Sequence, residues 1–452
     1  MTQPAAAPPA PPTKSTVAAW ALWDCGFVGM YAIVVTFVFS VYLTESVGEG
    51  MPAGASPASW LGRALAIAGV TVAVLAPLIG VWVQAPRHRR SALTVLTSAS
   101  VLLTACMAFV RDDPSYLFFG LALLAATAAC GDLANVPYNA MLKQLSTPEN
   151  SGRISGFGSA AGYLGSVFLL LVVYVGLIMG DGPARGLLGL PADDGFNIRI
   201  VMVVTAAWFL IFALPLLFTA HRILPPDTVA EHAPTSMLGG YRQVWTDLKS
   251  EWRRDRNLVY YLLASAVFRD GLTGVFTFGA VLGVAVYGIS PADVLIFGVA
   301  ALIIAGVGAI TGGYVDDRVG AKPVIIGSLV VMVFVGVALL MLSGPVAFVA
   351  CGLTLCFFIG PAQASARALL LRMTAEGREG VTFGLYTMTG RAVTFLAPWL
   401  FSVFVDVFDA ERAGLGGILV VLVAGLVAMM FVRTPGVTQR PNTASGPSRT
   451  AP

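Results

Sequence analysis

Long apolar runs, broken at intervals by charged or turn-forming stretches, set the pattern of this chain. They fall at residues 17–43, 62–83, 91–110, 116–142, 155–179 and 199–220. After a polar stretch over 221–256 they resume at 257–287, 292–315, 323–343, 345–371, 381–405 and 414–432. Each is close to or above the roughly 20 residues with which a helix crosses the hydrocarbon of a bilayer. The apolar positions are continuous and do not alternate with period two, which excludes a transmembrane barrel. Backbone groups in lipid must bond within their own segment, so each run predicts a helix. The expectation is an all-α membrane protein with twelve transmembrane helices.

Two finer patterns modify that frame. In the polar stretch, Leu238, Tyr241, Trp245, Leu248 and Trp252 recur at spacings of three and four, with Arg242, Lys249, Arg253 and Arg254 between them. This predicts an amphipathic helix lying on the inner leaflet, its basic face toward anionic headgroups. In the second run, Gly62, Ala66, Gly69, Ala73, Ala76 and Gly80 form a stripe of small residues, and the fifth run carries Gly158, Gly162 and Gly165. Such stripes let helix backbones approach closely in lipid.

Composition agrees with a bilayer as solvent: 57% of residues are hydrophobic and 11% charged, against about 25% charged in soluble domains. The net charge of +3 points to no nucleic-acid partner. Cys25, Cys106, Cys130, Cys351 and Cys356 all sit in apolar runs without CxxC or histidine neighbours, and read as small buried hydrophobes. Of the 27 Lys and Arg, Arg269, Arg367 and Arg391 lie deep inside the runs, and Arg63, Arg111, Arg185, Arg199 and Arg412 lie in one set of loops or at the run ends beside them. The remaining 19 fall on the side that holds both ends of the chain. The positive-inside rule places that side in the cytoplasm.

Six runs, a long break and six more suggest a parallel repeat, with two six-helix bundles related by a pseudo-two-fold axis along the membrane normal. Asp24 in WDCGFVGMYA and Asp270 in RDGLTGVFTF occupy matching places, as do Gly131 and Gly360, Lys143 and Arg372, and, after a one-residue shift, Gly156 and Gly384. The segments read as a disordered cytoplasmic tail (1–16), a first bundle (17–220), a cytoplasmic linker (221–256), a second bundle (257–432) and a second tail (433–452).

Between the eighth and ninth runs stands GYVDDRVGAK, of pattern G-x-x-x-D-R-x-G-x-K. It resembles the signature loop of the major facilitator superfamily. Gly313 and Gly320 would permit a tight turn, Asp317 and Arg318 would pair across to neighbouring helix ends and latch the cytoplasmic side, and Lys322 completes the motif. The related loop GVWVQAPRHRR keeps Gly80 and basic residues but has Gln84 where the acid belongs, which leaves the first-half latch open. A narrower likeness spans most of the chain. WALWDCGFVGMYA, VPYNAML, FRDG and GLYTMTGRA resemble motifs of the "unknown major facilitator" family, bacterial relatives of the yeast vacuolar amino-acid effluxer of autophagy. Trp20, Trp23, Asp24, Tyr138, Asn139, Asp270, Gly271, Arg367 and Gly390 fall on family positions, whereas Phe27, Arg269 and Thr387 depart from it. The resemblance implies amino acids or similar small organic solutes as substrate class.

Six charged residues lie more than two positions inside the ends of the runs: Asp24, Asp132, Arg269, Asp270, Arg367 and Arg391. Each would cost about 2.5–3.5 kcal/mol at a bilayer centre on insertion scales, so they must face water or one another. Asp132, Asn135 and Asn139 share one helix face, Gln363 and Arg367 another, and Thr387, Arg391 and Thr394 a third. With Tyr31, Tyr138 and Tyr386 they are the candidates for a polar cavity. The charges are expected either to bind substrate or a coupling proton, or to form a salt-bridge gate.

The expected function is a monomeric secondary active transporter in a bacterial plasma membrane, both termini cytoplasmic, working by alternating access on a small organic solute. Efflux is one direction open to it. Proton coupling is compatible with carboxylates in low dielectric. A broad drug exporter of the same fold is the alternative, and a non-transporting receptor or structural protein the alternative of another class. No cofactor or metal is expected. The only histidines, His88, His221 and His232, lie in loops, which argues against a membrane enzyme, and no nucleotide-binding motif occurs.

Overall fold

The computed structural model describes residues 13–49, 56–180, 182–223 and 256–433, with Arg242, Thr246, Lys249 and Arg253 from the intervening stretch. Among these residues twelve helices are long and apolar enough to cross a membrane. They are α1 (Lys14–Val47), α2 (Pro57–Trp82), α3 (Pro86–Phe109), α4 (Pro114–Leu145), α5 (Ser151–Ile178) and α6 (Asp193–His221), then α7 (Arg256–Ala285), α8 (Pro291–Val319), α9 (Ala321–Met341), α10 (Pro345–Met373), α11 (Glu379–Phe408) and α12 (Ala413–Phe431). Proline opens α2, α3, α8 and α10, where its missing N–H costs nothing. Ser56 and Ser290 cap two of these starts, accepting from Ser59 N at 3.2 Å and Asp293 N at 3.1 Å.

Three elements depart from the expectation of plain helices. α1 starts at Lys14, within the segment read as a tail, and widens into π-helical turns at Ala32–Phe37 and Leu43–Val47. α11 is broken between Val393 and Leu396. A short hairpin, β1 (Ala184–Arg185) against β2 (Leu190–Pro191), joins α5 to α6. Of the amphipathic helix expected in the linker, Arg242, Lys249 and Arg253 are helical and exposed. Its apolar members, Leu238, Tyr241, Trp245, Leu248 and Trp252, lie outside the described residues, as do residues 1–12 and 434–452 of the tails.

Within the first half, α1 packs on α5 and α6, α3 on α4 and α6, and α2 on α4; within the second, α7 and α9 pack on α12, and α8 and α9 on α10. The halves meet through α5 on α8 and α2 on α11, with α5–α10 and α4–α11 contacts beside them. This is the two-bundle architecture that the internal repeat predicts. Ile67, Val70, Phe334, Met341 and Phe431 stay exposed, as side chains facing lipid do.

The tryptophans of WALWDCGF brace the first bundle. Trp20 and Trp23 stack on Tyr138 of α4 with ring centroids 4.6 and 4.4 Å away. Trp20 Nε1 donates to Tyr138 O at 3.1 Å, and Trp23 Nε1 to Thr97 Oγ1 at 3.1 Å. The cluster is buried, so these aromatics hold α1, α3 and α4 together.

Candidate functional site: the seam between the bundles

Lys14, Arg256 and Phe431 place the start of α1, the start of α7 and the end of α12 on one face of the molecule, the termini face. There small residues close the seam, Ala76 and Gly80 from the α2 stripe among them, while Gly158, Gly162 and Gly165 of α5 pack on Trp20, Val28 and Cys25 of α1. A Cβ added to Gly80 of α2 would stand 2.6 Å from Gly380 O, and one on Gly384 of α11 2.6 Å from Ala76 O. The second contact mirrors the first: a Cβ on Gly313 of α8 would stand 2.6 Å from Gly152 O of α5, with Gly156 against Ala309. Farther along, the helices part. Gly62 and Gly69 of α2 have nothing within 4 Å, and the nearest atom to a Cβ on Gly306 of α8 is 3.7 Å away. The bundles therefore touch backbone to backbone at the termini face and diverge toward the opposite one.

Charges lock the closed end. Asp317 accepts from Gly152 N at 2.9 Å, Arg153 N at 3.2 Å and Arg153 Nε at 2.7 Å, so an acid of α8 caps the N-terminus of α5. Arg372, at the end of α10, lies 2.5 Å from Asp316 and 3.6 Å from Asp317, and donates to Ser151 Oγ at 3.0 Å. Gly313 supplies the close approach just described. Gly320, at φ +94°, makes the turn into α9, a conformation that favours glycine. Two expectations for the motif are corrected. Arg318 is exposed and has no ion-pair partner among the described residues. Lys322 donates to Met430 O at 3.1 Å and Val432 O at 2.6 Å, and so caps the end of α12 within its own bundle.

In the first half, where Gln84 stands in the acid's place, an ion pair across the seam has its carboxylate on the facing helix. Glu379 at the start of α11 lies 3.6 Å from Arg89 of α3, both side chains buried. Arg89 also donates to Val83 O at 3.1 Å, Ala140 O at 3.3 Å and Gln144 Oε1 at 3.2 Å.

At mid-depth the intramembrane charges form two pairs, both across the seam. Asp24 of α1 lies 3.7 Å from Arg367 of α10. Arg367 also donates to Ser155 O of α5 at 3.0 Å and to Ser159 Oγ. Its side chain is only 13% exposed, so it does not reach out to headgroups. Asp132 of α4 pairs with Arg391 of α11, beside Tyr31. Asp270 takes no arginine: it accepts from Ala397 N at 2.6 Å and caps the second half of the broken α11. Arg269, its sequence neighbour, lays its guanidinium 3.8 Å from the centre of the Tyr386 ring and donates to Tyr386 O at 3.3 Å.

The uncharged candidates divide. Gln363 accepts from Tyr163 of α5 at 3.0 Å, a further tie across the seam. Asn135 and Asn139 donate back to Gly131 O at 3.2 Å and Asn135 O at 2.8 Å within α4. Tyr138 is corrected: it is fully buried between Trp20 and Trp23 and does not line a cavity. The structure adds Asp316, Arg153, Glu379 and Tyr163, which sequence reasoning did not select. Extending the internal repeat pairs Gly80 with Gly313 and Gly152 with Gly380, and so points to Glu379 as the residue in the place of Ser151.

A family model described as "Vacuole effluxer Atg22 like" matches residues 53–438. The uncharacterized MFS-type transporter YxiO of Bacillus subtilis (strain 168) is 22% identical over 413 residues, 91% of this chain and 94% of that protein. Autophagy-related protein 22 of Yarrowia lipolytica is 23% identical over 313 residues, 62% of this chain, and the match spans 50% of the fungal protein. Among solved structures, the proton:xylose symporter XylE bound to 6-bromo-6-deoxy-D-glucose aligns with a TM-score of 0.70 at 14% identity, over 93% of this chain and 96% of its own. FucP in the outward conformation aligns with a TM-score of 0.65 at 13% identity, over 93% and 100%. These two likenesses show the major facilitator fold.

Proposed function

Because the chain belongs to the family of Atg22-like vacuole effluxers, and is a secondary transporter and not an enzyme, we propose that it moves a small organic solute of the amino-acid kind by alternating access. The observation that carries this reading is that both mid-depth ion pairs and both latches cross the seam between the bundles. Rocking one bundle against the other breaks all of them together, and a solute in the cavity has fixed charges on both sides to engage.

The termini face is read as cytoplasmic from the excess of Lys and Arg there, so the described conformation is open to the outside. Near-complete coverage of the Bacillus protein supports a bacterial plasma membrane as location. One chain holds both bundles and the whole seam, which suits a monomer. Asp132 is the proposed proton carrier: protonation would release Arg391 and loosen one tie across the seam. Tyr31, Asn135, Gln363 and Tyr386 would contribute polar and aromatic contacts. Charge pairs at mid-depth favour a polar solute over the apolar cargo of a broad drug exporter.

The test is uptake of radiolabelled amino acids by proteoliposomes under imposed solute and proton gradients. Accumulation above protein-free liposomes, collapsing when the gradient is dissipated, is expected. A panel of amino acids giving no flux in either direction would remove the substrate assignment.

A further inference from the structure

The intramembrane charges do not all cancel locally. Asp24 and Arg367 neutralise each other, and the arginine is further held by Ser155 and Ser159. Asp132 and Arg391 are likewise paired. Asp270 is committed to the backbone of Ala397. Arg269 alone among these six has neither a carboxylate nor a helix terminus of opposite sign among the described residues. Among the described residues its ring and hydrogen-bond contacts are the face and carbonyl oxygen of Tyr386.

Its setting is built for it. A Cβ on Gly390 would come within 3.1 Å of both terminal nitrogens of Arg269, so glycine at that position makes the berth. Arg269 shares a face of α7 with Thr273 and Thr277, both exposed. Arg269 itself is half-buried, and an ionisable side chain within a spanning helix faces the bundle interior or a water-filled cavity and not lipid. A guanidinium over an aromatic ring still has N–H groups with which to form a fork. Among the described residues only one of its five donors is used, on Tyr386 O.

Resting on the transport reading above, we propose that Arg269 is the seat of an anionic group of the transported solute, a carboxylate held bidentately by the guanidinium while Tyr386 backs it. The solute is then an organic acid or a zwitterion, and neutral polyols and pure amines are excluded. Tyr386 and Gly390 are positioning residues: one stacks on the guanidinium, the other leaves it room.

The experiment measures the melting temperature of the purified full-length protein against acetate, butyrate, glycine, leucine and glutamate. Each is set beside its uncharged amide or, for the amino acids, the carboxamide. A ligand that binds only the folded state raises its stability. At least one carboxylate is expected to stabilise the wild type while its amide does not. Its apparent affinity is expected to fall about tenfold or more in Arg269→Lys, as one charge-assisted hydrogen bond of the fork is lost. In Arg269→Gln the effect should disappear; should that variant not fold, Arg269→Lys, which keeps the charge, gives the answer. Equal stabilisation by the amides, no stabilisation by any of the five carboxylates, or undiminished affinity in Arg269→Lys overturns the proposal. Flux of an uncharged solute in proteoliposomes would leave the transport reading standing while the anion seat falls. Carboxylate binding without flux would do the reverse.

Discussion

Glu379→Gln isolates the first-half latch. The Arg89–Glu379 pair is buried and spans the seam at the closed face. Removing one member of a buried pair costs about 3–5 kcal/mol when the other charge is left bare. Arg89 is not left bare, since Val83 O, Ala140 O and Gln144 Oε1 all remain, and all belong to its own bundle. The glutamine also keeps an acceptor for Gly377 N, which Glu379 Oε1 now holds at 3.2 Å. The expected loss is therefore about 1.5–3 kcal/mol. The pair forms only when the termini face is closed, so the loss falls on the closed state and moves the equilibrium toward opening by about 10- to 150-fold. Spin labels at the exposed positions Arg90 and Glu376, in a background with the native cysteines replaced, read the width of that face. In Glu379→Gln a second, longer distance should become populated, while Glu376→Gln, used as a neighbouring control in a differently labelled pair, should change nothing. An unaltered distance distribution in Glu379→Gln would refute the latch.

In the second-half latch, Asp317→Asn keeps one acceptor for Gly152 N and loses its hold on Arg153, a loss of about 1 kcal/mol that should slow transport several-fold with expression intact. Arg318→Ala should transport normally, since the side chain is exposed; equal flux in both variants would deny Asp317 its role. Asp24→Asn strips Arg367 of its carboxylate and is expected to destabilise by about 3 kcal/mol, visible as a lowered melting temperature. Asp270→Asn retains an oxygen for Ala397 N and should stay within about 1 kcal/mol of wild type; the opposite order would contradict the assigned partners. Impermeant thiol reagents should label Asp112→Cys and Asp194→Cys from outside intact cells but not Arg90→Cys. Labelling of position 90 would overturn the orientation.

Much of the architecture was legible because its causes are local. Run length, proline starts and the glycine turn at Gly320 act over a few residues, and they mark spans and connections directly. Of the small-residue stripes, Gly80 of α2 and Gly158, Gly162 and Gly165 of α5 are close-packing positions whereas Gly62 and Gly69 stand clear of any neighbour, and nothing in one helix says which partner it meets. The ion pairs were not legible for the same reason. Asp24 and Arg367 lie in different bundles, and only the docking of α1 and α5 on α10 brings them together. Asp270 looked like a partner for arginine, but the break in α11 exposes a backbone N–H that takes the carboxylate first. Tyr138 carries a polar atom, and its ring buries more than its hydroxyl demands, so stacking with Trp20 and Trp23 decides its place. Gln84 leaves the first half without the acid of the motif, and the Arg89–Glu379 pair across the seam depends on how α11 docks on the first bundle, which neither segment shows alone.

The central claim, a solute carried by bundles that rock about this seam, is tested most directly by amino-acid counterflow in proteoliposomes containing the Arg90→Cys, Glu376→Cys protein. Counterflow needs neither ATP nor an ion gradient and requires the loaded carrier to turn over. The account predicts transient accumulation of labelled solute with the thiols free. It predicts loss of that accumulation when a reducible cross-linker ties the two positions across the termini face, and its return on reduction. Accumulation undiminished with the link in place would contradict the account.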